Sequence, residues 1–136
     1  MQITISGRPV PKKNNPRIVG QGRGFIRLIP SKAWVEYEKQ ALKQLMVYGN
    51  VYVPGAVHVQ ARYFLPNYAH WPDLANLMAG TGDLLETAGI IPNDRRIVSW
   101  NGSAIWGIDK ANPRVEIIIN SIQVPEWLSR GIQIGP

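Results

Sequence analysis

The stretch PDLANLMAGTGDLLETAG (residues 72–89) predicts the central helix of the fold and one half of its candidate site. Pro72 presets the backbone angle at the helix start, and the Asp73 side chain can accept hydrogen bonds from the first free amide groups. Gly89 favours the left-handed conformation that ends helices. Apolar residues recur at spacings of three and four, so one face is apolar and another face carries Asp73, Asn76, Gly80 and Asp83.

A second acidic turn follows this helix at Asn93 and Asp94. We expect the chain to fold back so that this turn lies beside the helix or beside a neighbouring strand. Asp73, Asn76 and Asp94 would then supply the oxygen ligands that magnesium prefers. Asp83 fits that ligand set poorly, because ten residues of straight helix separate it from Asp73 by roughly 15 Å. Helix capping alone also accounts for Asp73, and Asp94 is an ordinary turn residue, so both roles stay open at this point.

Positive charge is concentrated at the start of the chain. The net charge is +6, and seven basic residues precede the first acidic residue, Glu36: Arg8, Lys12, Lys13, Arg17, Arg23, Arg27 and Lys32. Interspersed proline, asparagine and glycine residues disfavour a regular helix there, so we expect a loop or arm that presents charge. A phosphate backbone is the natural partner of this basic arm, and a solvated loop is the alternative.

Length and composition limit the class of protein. The chain of 136 residues is the size of one domain, and it has no apolar run long enough to span a bilayer. The amino terminus lacks a signal pattern, so we expect a cytoplasmic protein with no membrane partner. With no cysteine and two histidines, the sequence excludes disulfides and thiolate metal sites and disfavours a histidine-rich zinc site.

Alternating and amphipathic patterns predict the remaining elements. Strands are expected at 2–6, 24–28, 56–65, 96–105 and 114–120. A helix capped by Ser31 is expected from Lys32 to about Tyr48, with its apolar side formed by Trp34, Tyr37, Ala41, Leu42, Leu45 and Met46. Two helices cannot cover both faces of a five-stranded sheet, which indicates an α+β two-layer sandwich with a mixed, mostly antiparallel sheet.

The aromatic and histidine residues have simple structural roles available. Trp100 and Trp106 flank a turn dipeptide and fit strand or edge positions, although one of the exposed rings could stack on a DNA base. His58 falls within a strand. His70, just before the central helix, is the better candidate for a ligand or a proton shuttle.

The end of the chain is expected to be ordered. The segment 121–136 contains Trp127, Leu128, Ile132 and Ile134, which is too apolar a composition for a disordered tail. We therefore expect this tail to pack on the domain formed by residues 1–120 or on a second subunit.

These motifs, taken in order, resemble the RusA family of Holliday junction resolvases. The matching stretches are 7–13 after the first strand, 72–77, 83–85, 88–90, 93–94 and 113–117. The resemblance implies a homodimeric endonuclease of bacteria and their prophages, which resolves four-way DNA junctions in recombination and repair. It also implies paired cuts that depend on magnesium, with manganese as an alternative ion.

The resemblance assigns residues as well. It implies catalytic roles for Asp73, Asn76, Asp83 and Asp94, with Asp73 and Asp94 as the metal ligands. DNA contacts are expected from the basic arm and from the turn after Asp94, through Arg8, Lys12, Lys13, Arg17, Arg23, Arg27, Arg95 and Arg96.

Two positions depart from the family signature. Its second aspartate is Ala75 in this chain and its lysine is Ala79, so one ligand and one cation are missing, although Arg95 or Arg96 could supply the charge. Two function classes therefore remain, a metal-dependent junction nuclease and a non-catalytic junction-binding protein that kept the fold. A nucleic-acid-binding domain without branch selectivity is a third.

Overall fold

The computed structural model describes residues 1–12, 17–19 and 27–133. Its strands are β1 (Gln2–Ser6), β2 (Arg17–Val19), β3 (Arg27–Ile29), β4 (Val57–Leu65), β5 (Ile97–Ser99), β6 (Ala104–Ile108) and β7 (Arg114–Ser121). Its helices are α1 (Lys32–Leu45), α2 (Leu74–Thr87) and α3 (Glu126–Gln133). Short 3-10 turns lie at Met46–Tyr48 and Asp94–Arg96.

Within the described residues, five strands form one mixed sheet in the order β1-β7-β4, with β5 and β6 both on the far edge of β4. β7 runs antiparallel to β1 and β4, whereas β5 and β6 run parallel to β4. Because strand side chains alternate between faces, one row enters the core, and it includes Ile3, Ile5, Val59, Ala61 and Ile117.

Helices α1 and α2 cover this buried face. Both helices contribute to the same hydrophobic core as the strands, through Trp34, Ala41, Leu45, Leu77, Leu84 and Leu85. α1 starts as the sequence predicts, because the Ser31 hydroxyl accepts a hydrogen bond from the Trp34 N–H at 3.1 Å. The prediction of an α+β two-layer fold is therefore confirmed.

Met46 corrects one expectation about α1. It is 75% exposed and does not join the apolar side. The helix tightens into a 3-10 turn at this residue, so the helical spacing that would turn Met46 toward the core no longer applies.

The far edge of β4 is interrupted. The sequence predicts one strand over 96–105, but β5 and β6 are separated by a turn in which Gly102 has a φ of +85°. Beside this turn the N–H of Ala61 donates to the Ser103 hydroxyl at 2.9 Å, where an uninterrupted strand would offer a backbone carbonyl. A side chain thus replaces one ladder hydrogen bond, and β6 then runs on to Ile108.

The basic arm contains regular structure. The sequence predicts a loop followed by a strand at 24–28, whereas β2 and β3 form an antiparallel pair with Arg17 opposite Ile29. The start of the predicted strand lies outside the described residues, and β3 ends one residue later than predicted. The β-pairing was missed because two three-residue strands are too short to show an alternating pattern.

The tail forms helix α3. No residue of α3 is fully buried, and Trp127 is 73% exposed. Its packing on the domain or on a second subunit stays a prediction, as does the boundary at residue 120, and Ile134 lies outside the described residues.

Candidate active site

The start of α2 is fixed by Asp73. Its backbone is extended, and its Oδ1 accepts the N–H of Ala75 at 2.9 Å, so the predicted capping role is confirmed. Asp73 is exposed and lies where the helix dipole favours negative charge.

The inner face of α2 is held by a close approach and by a buried hydrogen bond. A Cβ atom on Gly80 would lie 2.8 Å from Cζ3 of Trp34, so only glycine permits this contact with α1. The Tyr63 and Thr81 hydroxyls lie 2.7 Å apart and join α2 to β4. Burial raises the pKa of the Tyr63 phenol above its usual range, which keeps this hydroxyl protonated. Gly80 was expected on the polar face, and the structure places it on the buried face.

The outer face of α2 carries small residues. Ala75, Ala79 and Gly82 follow one another at helical spacing, and they line a cavity of about 250 Å³. Asp94 and Trp100 close this cavity from the opposite side. The two positions that depart from the expected signature are therefore the residues whose short side chains leave this space open.

The turn that carries Asp94 folds back onto α2, as the sequence predicts. Gly89 has a φ of +77° and ends the helix. The N–H of Asp94 then donates to Oε1 of Glu86 at 2.8 Å, and the Asp94 Cβ lies 3.7 Å from the position that a Cβ would occupy on Gly82. Asp94 is thus positioned against the outer face of the helix.

Asp73 and Asp94 lie at different levels along the axis of α2. Asp73 precedes Gly82 by nine residues, which is about 13 Å of helix rise, whereas Asp94 lies beside Gly82. Asn76 is half-buried between these levels. Among the described residues, no group of three or more His, Cys, Asp or Glu side chains could hold a metal ion. The chain's own carboxylates therefore form at most a partial metal site.

Asp83 has a different environment. Its carboxylate forms an ion pair with the Lys12 ammonium, and both side chains are partly exposed. This contact ties the first described segment of the basic arm, which ends at Lys12, to α2, and it accounts for Asp83 without a metal.

The other residues that are expected to contact DNA lie in different environments. Arg8 donates to the carbonyl of Ala69, Arg95 is exposed, and Arg96 is half-buried. Lys13 and Arg23 lie outside the described residues, and for Arg17 and Arg27 only the strand backbone is described.

The two histidines also differ. His58 Nδ1 lies 2.9 Å from the Ser99 hydroxyl, which links β4 to β5 and fits its structural interpretation. His70 is exposed and has a φ of +53°, and it does not line the cavity beside Asp94.

Sequence reasoning missed two features of this region. Gly82 and Trp100 line the cavity, and the signal that would have found Gly82 is its helical spacing from Ala75 and Ala79. Tyr68 and Trp71 stack with ring centroids 5.9 Å apart in the loop before Asp73. Two aromatic residues in a short polar loop would have been their signal.

Comparison with known proteins identifies the family. Residues 6–120, most of the chain, match the family model described as endodeoxyribonuclease RusA. No curated protein gave a significant match. In the described part of the chain, no helix has the length and apolar character needed to cross a bilayer. The chain belongs to the endodeoxyribonuclease RusA family, which supports an endodeoxyribonuclease of Holliday junctions as its function class.

Proposed function

We propose that the protein is a structure-selective endodeoxyribonuclease that cuts four-way DNA junctions in pairs during recombination and repair. The observation that carries the proposal is the position of Asp94, which faces a cavity on the outer side of α2. Membership of an endodeoxyribonuclease family supports the reaction class, since residues 6–120 span both α2 and Asp94.

Magnesium is the proposed cofactor, with manganese as an alternative. Magnesium sites commonly use one or two carboxylates together with waters and substrate phosphates. Asp94 fits a partial site of this kind. Asp73 lies about 13 Å of helix rise away, so we propose that it binds a second ion rather than sharing the ion of Asp94. A bound ion would lower the pKa of an attacking water and stabilise charge on the scissile phosphate.

The chain's own residues have separate tasks in this proposal. The hydrogen bond from the Asp94 N–H to Glu86 holds the aspartate against α2. Asn76 is the proposed polar contact between the two carboxylates, and Asp83 acts only through Lys12. The guanidinium groups of Arg95 and Arg96, which follow Asp94, are the proposed substitute for the missing lysine.

Charge supports a nucleic-acid substrate. The chain carries a net charge of +6, with its basic residues concentrated before Glu36. We propose that the basic arm contacts DNA phosphates through Arg8, Lys12, Lys13, Arg17, Arg23 and Arg27. Such contacts set affinity and orientation without reading base sequence.

A homodimer is the proposed assembly. A four-way junction with two symmetric cuts requires two identical active sites, which a two-fold dimer supplies. Static light scattering at micromolar concentration should give twice the mass of the chain, with or without junction DNA. A monomer under both conditions contradicts this part of the proposal.

A second candidate function follows from Ala75 and Ala79. With two signature side chains absent, a protein that binds junctions without cutting them is the alternative. It predicts tight junction binding and no cleavage at any metal concentration.

The deciding experiment is cleavage of a labelled four-way junction across a magnesium and manganese titration. Asp94→Asn and Asp73→Asn should each lower the cleavage rate by at least about a hundred-fold, because even changes behind metal ligands cost 10- to 100-fold. Junction binding should be retained or become tighter, since one negative charge near phosphate is removed.

Asp109→Asn is the matched control. Asp109 is an aspartate in the turn between β6 and β7, where Arg114 donates to its carboxylate at 2.8 Å and lowers its pKa. This variant should cleave as the natural protein does. Normal cleavage by Asp94→Asn would remove Asp94 from the site.

A further inference from the structure

The loop between β4 and α2 exposes two aromatic rings just before the start of α2. Tyr68 is 79% exposed and Trp71 is 51% exposed. Their ring centroids are 5.9 Å apart with an angle of 17° between the ring planes, which is a stacked arrangement. Each ring therefore covers part of the other, and the highly exposed Tyr68 retains most of its surface for a further partner.

This loop is held in one conformation by named contacts. The N–H of Ala69 donates to Oδ1 of Asn67 at 2.9 Å, and the Arg8 guanidinium donates to the carbonyl of Ala69. His70 has a φ of +53°, a left-handed conformation that is uncommon for residues other than glycine. Such a conformation persists when its surroundings determine it. The aromatic pair is thus presented in a preorganised geometry.

The position of the pair places it at the N-terminal end of α2. Trp71 is two residues before Asp73, the N-cap of the helix. Arg8 contacts the same loop, so a cationic side chain lies close to the rings, whereas the Asp73 carboxylate already caps the positive end of the helix dipole. A nucleotide here would find a surface for its base next to a cationic side chain that favours its phosphate.

We propose that the Tyr68–Trp71 pair is a stacking platform for an unpaired base of branched DNA. The proposal rests on the function proposed above. Every base has a π face, so aromatic side chains accept exposed bases with little sequence preference. Paired bases inside a duplex are not accessible to such a platform, so the pair would distinguish a branched or opened substrate from continuous duplex.

Two other exposed tryptophans fit this role less well. The Arg62 guanidinium already lies over the Trp106 ring, 4.5 Å from its centroid. Trp127 is 73% exposed on α3, where it follows the acidic residue Glu126. Tyr52, which is 56% exposed in the segment before β4, provides the exposed aromatic residue for a control variant, because Trp127 belongs to the tail that is expected to pack on the domain or on a second subunit.

The test compares the natural protein and four variants on two DNA substrates. Tyr68→Ala, Trp71→Ala, Trp71→Phe and the control Tyr52→Ala are titrated against a four-way junction and a duplex of equal length in a buffer without divalent metal. Loss of the platform should weaken junction binding by about ten- to a hundred-fold and change duplex binding by less than about two-fold. Trp71→Phe keeps an aromatic face and should retain most of the affinity.

A fluorescent base provides a direct readout. With 2-aminopurine at the branch point, the natural protein should quench its emission through stacking, and Tyr68→Ala or Trp71→Ala should abolish the quenching. Tyr52→Ala should behave as the natural protein.

The opposite results separate this inference from the proposed function. If the alanine variants bind the junction as tightly as the natural protein and quench the 2-aminopurine emission equally, the stacking proposal is wrong, whereas the proposal of junction binding is unaffected. Equal losses on junction and duplex would mean that the rings only support the loop. Failure of the natural protein to bind the junction would overturn the proposed function and this inference together.

Discussion

The two faces of α2 have opposite character. On the inner face, Gly80 brings the helix against Trp34, and Thr81 hydrogen-bonds to Tyr63. On the outer face, Ala75 and Ala79 leave a cavity beside Asp94. The difference shows that the packing that positions this helix is independent of the side chains that would perform chemistry on it. A change on the outer face can alter the site at little cost to the fold.

The largest expected effect is on the inner face. Leu85 has no exposed surface, and Leu85→Ala should lower the free energy of unfolding by about 2–5 kcal/mol, because it removes apolar contacts and leaves a cavity. Ala79→Ser on the exposed outer face should change stability by less than about 0.5 kcal/mol. Urea denaturation of both variants checks this contrast. Comparable losses for the two would show that the faces are not independent.

The second-largest expected effect comes from restoring the two missing signature side chains on the outer face of α2. Ala75→Asp together with Ala79→Lys should reduce the magnesium concentration for half-maximal cleavage by roughly ten-fold, because affinity for hard cations rises with ligand charge and number. The natural chain should need unusually high magnesium or prefer manganese. Initial cleavage rates across a metal titration provide the measurement.

Ala75→Asn with Ala79→Met is the uncharged control for that double variant. It fills the cavity with side chains of similar size and should not lower the metal requirement. If the natural chain already saturates at low magnesium, other groups replace the missing ligands.

The ends of α2 were more predictable from the sequence than its faces, since Gly80 was expected on the polar face and is buried. The helix bounds, the Asp73 cap and the helix end at Gly89 follow from local rules, and the structure confirms them. The fold-back of Asp94 was expected, but its height along α2 was not, because that position depends on packing rather than on spacing. The ion pair of Asp83 with Lys12 joins residues 71 positions apart, so no local pattern could indicate it.

A smaller effect separates two glycines of the same helix. A Cβ on Gly80 would lie 2.8 Å from Trp34, so Gly80→Ala should cost about 1–3 kcal/mol of packing strain, against a gain in helix propensity of about 1 kcal/mol. A Cβ on Gly82 would have its nearest neighbour at 3.6 Å, so Gly82→Ala should stabilise the protein by about 0.5–1 kcal/mol. Thermal and urea unfolding of the two variants should show opposite signs. A gain in stability for Gly80→Ala would show that Trp34 can move away.

The smallest expected effect concerns the ion pair between Lys12 and Asp83. The Lys12 side chain is 41% exposed, so it can contact phosphate while its charge is partly neutralised by Asp83. Asp83→Asn should therefore tighten junction binding several-fold at low salt, whereas Lys12→Ala should weaken it and reduce the slope of log affinity against log salt by up to about one unit. Lys110→Ala, in the exposed turn between β6 and β7, is the control for loss of one positive charge. Fluorescence anisotropy at several salt concentrations measures both affinity and slope. An unchanged salt slope for Lys12→Ala, together with an unchanged affinity for Asp83→Asn, would mean that the pair only anchors the basic arm to α2.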